Sequence, residues 1–151
     1  MAKVDKIDQN ILSELSKDSS ISIPKLAKKI NVNSSVVYSR IKRLLKNKLI
    51  ERFTIEINNK KLGYGVKSLT GINMDSKQRD NIIQELLKIP GVREVAEVTG
   101  RFDILVTMYA ENLNEMYRIV SDNIGKIDGI IGSESFIEMK TRTKQMPYML
   151  E

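Results

Sequence analysis

The side chains best suited to chemistry lie in two short stretches, NSSVVYSRIKRLLK at residues 33–46 and VTGRFD within residues 98–103. The first combines hydroxyls, a phenol and cations, which are groups that contact the base edges and phosphates of DNA. The second places a glycine, Gly100, shortly before the carboxylate of Asp103. Free amides near such a glycine can hold a carboxylate, while the acid can pair with an ammonium group. The two stretches therefore suggest a DNA site and a small-molecule site.

The residue types missing from the chain argue against catalysis. There is no histidine and no cysteine, so the commonest general base, the cysteine nucleophiles and the usual zinc ligands are missing. No acidic residues have the spacing of a calcium-binding loop, and Gly63-Tyr64-Gly65 is not followed by the GK[ST] of a phosphate loop. We therefore expect no enzyme activity, no metal and no cofactor.

Residues 33–46 have the spacing of an amphipathic helix. Val37, Ile41 and Leu44 fall on one face, which must be buried, while the hydroxyls, the phenol and the lysines fall on the other. Asn33 is suited to cap this helix, because its side-chain oxygen can accept a free amide of the first turn. These features favour a DNA recognition helix. An ordinary amphipathic helix with a solvated basic face is the alternative.

The elements before this helix complete a helix-turn-helix. Residues 5–17 predict a helix with Asp5 as its N-cap, and residues 23–30 predict a second helix with Pro24 in its first turn. Asn31 stands at the turn before the third helix, where asparagine tolerates the left-handed conformation. Three helices with a tight turn between the last two are typical of a DNA-binding domain.

The segment after the third helix is predicted to form a wing. Apolar residues between positions 49 and 57 favour a short β-ribbon that offers Arg52 to a phosphate. We expect the serines, Tyr38 and Lys42 to reach base edges, while the arginines and Lys46 mainly hold phosphates. The predicted DNA-binding residues are Asn33, Ser34, Ser35, Tyr38, Ser39, Arg40, Lys42, Arg43, Lys46 and Arg52.

From residue 66 the pattern changes to strands and helices in the order βαββαβ, which is the split arrangement of a ferredoxin-like sandwich. The predicted class is α+β. The two helices are expected to bury Ile82, Ile83, Leu86 and Leu87, and Leu113, Met116, Val120, Ile124 and Ile127. The predicted divisions are a winged helix-turn-helix domain at 1–57, a linker at 58–65, a ferredoxin-like effector-binding and oligomerisation domain at 66–142 and a tail at 143–151.

The uncovered face of this sheet predicts self-association. Helices cover only one face of a four-stranded ferredoxin-like sheet, and an open apolar face invites a second copy. The expected product is a symmetric homodimer, which would duplicate the recognition helix. Two such helices would meet half-sites roughly 34 Å apart on DNA.

The distribution of charge separates the two halves. Residues 1–65 carry 14 Lys or Arg against 6 Asp or Glu, for a net charge of +8, whereas residues 66–151 carry 11 against 13, for −2. The basic half is the expected partner of a polyanion, because neutralising phosphates releases counterions. No apolar run has the length of a membrane span, and the first residues lack the apolar centre of a signal peptide. We expect a cytoplasmic protein.

The stretch from Val98 to Asp103 supports two interpretations. A glycine and an acid between two strands can form nothing more than a turn. Alternatively, the loop binds a small molecule, with Ser133 and Ser135 of the last strand lining the same end of the sheet. The candidate effector-binding residues are Val98, Thr99, Gly100, Arg101, Phe102, Asp103, Ser133 and Ser135.

Taken together, these motifs resemble the Lrp/AsnC family of leucine-responsive and feast/famine transcriptional regulators over essentially the whole chain. The opening VDKIDQNIL is similar to the family's L-D-x-x-D-x-x-I-L, and Leu62-Gly63 is similar to the end of its linker. Leu26-Ala27 and the run N-x-x-x-V-x-x-R-I-K-R-L from Asn33 resemble its recognition segment. The stretch V-T-G-x-x-D at Val98–Asp103 resembles its effector loop.

The resemblance implies a sequence-specific regulator that binds double-stranded DNA. It also implies dimers that commonly assemble into rings of four, with an amino acid bound between dimers near the V-T-G-x-x-D loop. The chain departs from the family's usual residues at Asn31, Asn33, Ser133 and Ser135, and Arg101-Phe102 occupies a variable pair of positions. The identity of the effector therefore does not follow from the resemblance. An architectural, weakly specific DNA-binding protein without an effector is the alternative function.

Overall fold

The computed structural model describes residues 4–144, so the predicted tail lies outside the described residues from 145 onward. The chain divides into two compact units, the first containing residues 4–56 with residues 142–144 and the second Ile57–Thr141. Helices and strands are α1 Lys6–Lys17, α2 Ile23–Ile30, α3 Ser34–Lys46, β1 Val66–Met74, α4 Arg79–Lys88, β2 Val92–Glu97, β3 Ile104–Ala110, α5 Leu113–Arg118 and β4 Ile130–Ile137.

Helix α1 begins as the sequence predicted. The Asp5 side chain accepts hydrogen bonds from the amides of Ile7 and Asp8, both at 3.0 Å. The Asp8 carboxylate in turn accepts the amide of Asp5 at 3.1 Å, which completes a capping box. Both carboxylates thus satisfy amides that the first turn of a helix leaves without partners.

A tight turn joins α2 to α3. Asn31 is left-handed, with φ 54° and ψ 51°, and its amide returns to the carbonyls of Ala27 and Lys28. Pro24 lies in the first turn of α2, where its missing amide hydrogen is not needed. The predicted helix-turn-helix is therefore present. Its buried core consists of Ile11, Leu26, Ala27, Val37 and Leu44.

The predicted wing is not formed within the part of the chain that the structure describes. Residues 51–58 have no strand, and Phe53 and Ile55 are exposed. The alternation of apolar and polar side chains is real, but a β-ribbon needs a second strand to accept its hydrogen bonds. Among the described residues, the first unit supplies a single such run.

The second unit is a four-stranded antiparallel sheet in the order β2-β3-β1-β4, which confirms the ferredoxin-like prediction. Helices α4 and α5 cover one face of the sheet. After Arg118 the chain continues through a π-turn at Ile119–Asn123 and a 3-10 turn at Ile124–Lys126 rather than as one long helix. The buried core consists of Ile72, Met74, Ile82, Leu86, Ile89, Ile104, Val106, Met108, Ala110, Met116, Ile119 and Ile124.

Two glycines turn the chain from helix into strand at corresponding corners. Gly91 and Gly129 have φ near +90°, which a residue with a Cβ adopts only with strain.

The predictions that Leu87 and Leu113 are buried were wrong, because their side chains are 52% and 60% exposed. Each lies on the outer edge of its helix's apolar stripe. In the described residues, no helix is long and apolar enough to cross a membrane.

Candidate DNA interface and effector site

The outward face of α3 presents the polar side chains that the sequence assigned to base edges. Ser34, Ser35, Tyr38, Ser39 and Lys42 are all exposed. The Lys42 ammonium lies 4.7 Å from the centroid of the Tyr38 ring, a cation–π contact that orders two long side chains on one face. The face therefore offers a stacked phenol and ammonium rather than independent flexible groups.

Ser39 within α3 and Asn33 at its N-cap each keep a polar side-chain atom available to a partner. The Ser39 hydroxyl donates to the Val36 carbonyl at 2.9 Å, so its oxygen remains as an acceptor for an outside donor. Asn33 holds the N-cap position with extended backbone, and its carbonyl accepts the amides of Val36 and Val37. The prediction that its side chain caps the helix was wrong, since that side chain accepts no amide within residues 4–144. The side-chain amide is left available to a partner.

Arg40 and Arg43 lie on the flank of α3 and bind α1 rather than projecting outward. Arg40 Nη1 pairs with the Asp5 carboxylate and lies 3.3 Å from both Asp8 oxygens. Arg43 Nη2 pairs with the same Asp8 carboxylate. The Asp8 amide and the Arg40 guanidinium lower the pKa of Asp5 from 3.8 to about 2. Both arginines were predicted to hold phosphates, and the structure gives each an internal partner.

Lys46 and Arg52 differ from these arginines. Both are exposed, and neither forms an ion pair with any residue between 4 and 144. Lys46 occupies the last turn of α3, and Arg52 follows that helix in the irregular segment. These two cations can reach a phosphate without first breaking an internal contact.

The loop between β2 and β3 is a tight connection closed by backbone hydrogen bonds. Val98 N donates to the Asp103 carbonyl at 3.1 Å, and Asp103 N donates to the Ile72 carbonyl at 3.0 Å. Gly100 has φ +132°, and a Cβ built there would meet no atom within 4 Å. Thr99, Gly100 and Arg101 are exposed at its tip.

The Asp103 side chain forms a hydrogen bond within the protein, which the sequence alone did not decide. Its Oδ2 accepts the amide of Met74 at 3.0 Å, at the end of β1. The second carboxylate oxygen, Oδ1, accepts no hydrogen bond from residues 4–144. The carboxylate therefore ties the loop to β1 and keeps one oxygen for a donor. Within those residues, no group of three acidic side chains could hold a metal ion.

The candidate residues around the loop lie on both faces of the sheet. Ser135 pairs with Thr70 and Ser133 with Ile72, so both serines share the face that the helices cover. The Ser135 hydroxyl is hydrogen-bonded to the Thr70 hydroxyl at 2.8 Å. The rings of Phe102 and Phe136 lie instead on the open face. The loop and the serines thus share one end of the sheet but not one face.

Three residues that the sequence did not single out organise the open side of the loop. A Cβ on Gly71 would overlap the Phe102 ring, so this ring lies directly against β1. Phe136 meets the same ring edge-on, with centroids 6.4 Å apart. Glu134 pairs with Arg101 at 2.8 Å. An isolated glycine inside a strand marks a close approach of this kind, and Gly71 was the available sequence signal.

Comparisons with known proteins agree with this architecture. A family model described as the Lrp/AsnC ligand binding domain matches residues 68–148, and a winged helix-turn-helix DNA-binding model matches residues 4–51. The chain belongs to the Lrp/AsnC family. It is a DNA-binding transcriptional regulator, with a ligand-binding domain after its helix-turn-helix. An uncharacterized HTH-type transcriptional regulator of Pyrococcus abyssi is 35% identical over 93% of this chain and 97% of its own length.

A named relative and two solved structures extend the comparison. The HTH-type transcriptional regulator LrpA of Pyrococcus horikoshii is 34% identical over 84% of this chain and 90% of its own. E. coli AsnC superimposes with a TM-score of 0.87 at 23% identity, covering 95% of this chain and 97% of AsnC. The Neisseria meningitidis regulator NMB0573, solved in complex with L-Met, has a TM-score of 0.90 at 17% identity, with 97% of both chains covered. These structural likenesses support the fold.

Proposed function

We propose that this Lrp/AsnC family regulator reads duplex DNA with α3 of two paired copies and responds to an amino acid bound at the loop between β2 and β3. The observation that carries the DNA-reading part is the ordered outward face of α3. Tyr38 and Lys42 are stacked there, beside the acceptor oxygen of Ser39. Such groups distinguish bases in the major groove by hydrogen bonding and methyl contact.

In this proposal, the DNA phosphates are contacted by exposed cations that form no ion pair within residues 4–144. Lys46 and Arg52 hold phosphates, and Asn33 with its side-chain amide is placed to donate to a phosphate beside the start of α3. These contacts fix the register of the protein on the duplex without reading its sequence. The net charge of +8 on residues 1–65 supports this part of the proposal.

Pairing of two copies is supported by apolar groups that the chain leaves exposed in each unit. In the second unit, Leu69 and Phe136 are 42% and 48% exposed on the open face of the sheet. In the first unit, Phe53 and Ile55 alternate with polar residues along a segment that has no strand partner within residues 4–144. In a symmetric dimer, each of these surfaces would pack against the same surface of a second copy of the chain. Higher rings of four dimers are implied by the family resemblance, and the cytoplasm is the proposed location.

The effector in this proposal is a free amino acid, which carries one carboxylate and one ammonium group. The exposed Arg101–Glu134 pair offers the complementary charges at the loop, and the second oxygen of Asp103 offers a further acceptor. Exposed ion pairs contribute little to stability, so a zwitterion can displace one at small cost. NMB0573 was solved with L-Met, which supports an amino acid as the class of effector.

Calorimetry of the full chain against each of the twenty amino acids tests the effector proposal. We expect one or a few to bind, and Asp103→Asn to weaken that binding. Asp122→Asn is the matched control, because Asp122 lies on the helix side of the same unit and pairs only with Lys126 within residues 4–144. If no amino acid gives heat with a folded oligomer, the effector part of the proposal is wrong. The DNA-reading part would then stand alone.

A further inference from the structure

One carboxylate in the first unit is completely buried. Asp8 has no exposed surface, yet it lies in α1 directly beneath α3. Its oxygens accept the Asp5 amide at 3.1 Å, contact Arg40 at 3.3 Å and pair with Arg43. No buried side-chain oxygen or nitrogen in the described residues lacks a partner.

A buried carboxylate is tolerated only when its charge is compensated by partners held in place. Here both compensating guanidiniums come from α3, at positions one turn apart. Moving α3 along its axis or rotating it would withdraw both from Asp8. The contact therefore fixes the rotation of α3 relative to α1, and with it the side chains that α3 presents outward.

The position of Arg43 on the helix makes this contact relevant to DNA. At about 100° per residue, Arg43 lies only about 40° around the helix from Ser39 and about 60° from Lys46. Released from Asp8, its guanidinium would reach the side of the reading face. Arg40 lies further round, about 100° from Ser39.

We propose that Asp8 is a positioning residue for DNA recognition, which fixes the rotation of α3, withholds Arg43 from the phosphates and, together with Asp5, withholds Arg40. This inference rests on the proposed use of α3 and replaces the prediction that the two arginines hold phosphates. Arginine–phosphate contacts strengthen binding to every sequence equally. Withholding them leaves discrimination to Tyr38, Ser39 and Lys42.

The salt dependence of DNA affinity measures this withholding directly. Each phosphate neutralised adds about 0.9 to the magnitude of the slope of log K against log salt. In Asp8→Asn the side-chain oxygen can still accept the Asp5 amide, but the charge that holds Arg43 is gone, while Asp5 still pairs with Arg40. We expect the slope to steepen by at least about 0.9, which adds roughly a 3.5-fold loss of affinity between 50 and 200 mM salt. The ratio of target to random affinity falls.

Charge-matched controls come from one exposed ion pair in the second unit, Glu85 with Lys88. Glu85→Gln makes the same change in net charge as Asp8→Asn, and we expect it to keep the wild-type slope. Adding Arg40→Gln and Arg43→Gln to Asp8→Asn should return the slope to the wild-type value. That reversal distinguishes released arginines from a general loss of structure.

A second variant keeps the inference testable if Asp8→Asn does not fold. In Arg43→Gln the new amide can still donate to Asp8, so the buried carboxylate keeps a partner there. We expect its salt slope to be close to that of Lys88→Gln, which makes the same change in net charge. In Lys46→Gln the magnitude of the slope should fall by about 0.9. If Arg43→Gln loses as much as Lys46→Gln, or if folded Asp8→Asn keeps the wild-type slope, the inference is wrong. A wild-type protein that binds no duplex would instead refute the proposed function on which it rests.

Discussion

Gly71 is the position where one added methyl group should most directly disturb the loop between β2 and β3. A Cβ there would overlap the Phe102 ring, whereas a Cβ at Gly132, on the neighbouring strand, would meet no atom within 4 Å. Overpacking of this kind costs about 1–3 kcal/mol. We therefore expect Gly71→Ala to lower the free energy of unfolding by that amount. Gly132→Ala should change it by less than about 1 kcal/mol, in the stabilising direction.

Hydrogen exchange followed by mass spectrometry is the suitable assay, because it reports the two units separately. In Gly71→Ala we expect faster exchange at the Asp103 amide, which donates to the Ile72 carbonyl, and no change in α1 to α3. Calorimetry should show weaker amino acid binding in the same variant. The double variant Gly71→Ala/Phe102→Ala should be less destabilised than the two single changes added together. If the Asp103 amide exchanges equally fast in Gly71→Ala and in Gly132→Ala, the Phe102 ring does not hold the loop between β2 and β3 in place.

Three further predictions concern the first unit. Tyr38→Ala should change the sequences recovered from a random duplex pool, and recovery of the wild-type motif would refute its base-reading role. Lys46→Ala should weaken binding to all duplexes about equally in anisotropy titrations, and a changed sequence preference would contradict its assignment to a phosphate. The pKa of Asp5 is lowered from 3.8 to about 2, so its stabilising effect is present above pH 4 and lost as the pH falls towards 2. Asp5→Asn, which preserves the N-cap, should therefore lose less stability over that range in acid titrations, and an identical pH dependence would contradict the lowered pKa.

Hydrophobic spacing was sufficient to predict most of the fold. In α3 the spacing of Val37 and Leu44 leaves one face that can be buried, and both are buried. In β3 the run of mostly apolar residues from Ile104 to Ala110 was predicted as a strand, and in the structure every second residue of that strand is buried. Asn31 marked the turn because few residues accept its left-handed backbone. Each of these signals depends only on residues close together in the chain, so it can be recognised in a single sequence.

The features that the sequence did not predict depend on partners far along the chain. A run such as Phe53 to Ile57 has strand character, but no sequence pattern says whether a second strand lies beside it. Arg40 and Arg43 have the composition of phosphate contacts, and only the approach of α1, 32 to 35 residues earlier, turns them inward. The contact of Phe102 with Gly71 likewise joins the loop between β2 and β3 to β1, about 30 residues earlier in the chain.

The central claim is that the outward face of α3 reads a particular DNA sequence. Its most direct test is the affinity of the wild-type protein for a duplex selected from a random pool, measured in competition with unselected duplex at one fixed salt concentration near 0.15 M. We expect a preference of about a thousandfold or more for the selected duplex. Nearly equal affinities with a steep salt dependence would contradict it, and would identify instead an architectural protein that binds the DNA backbone alone.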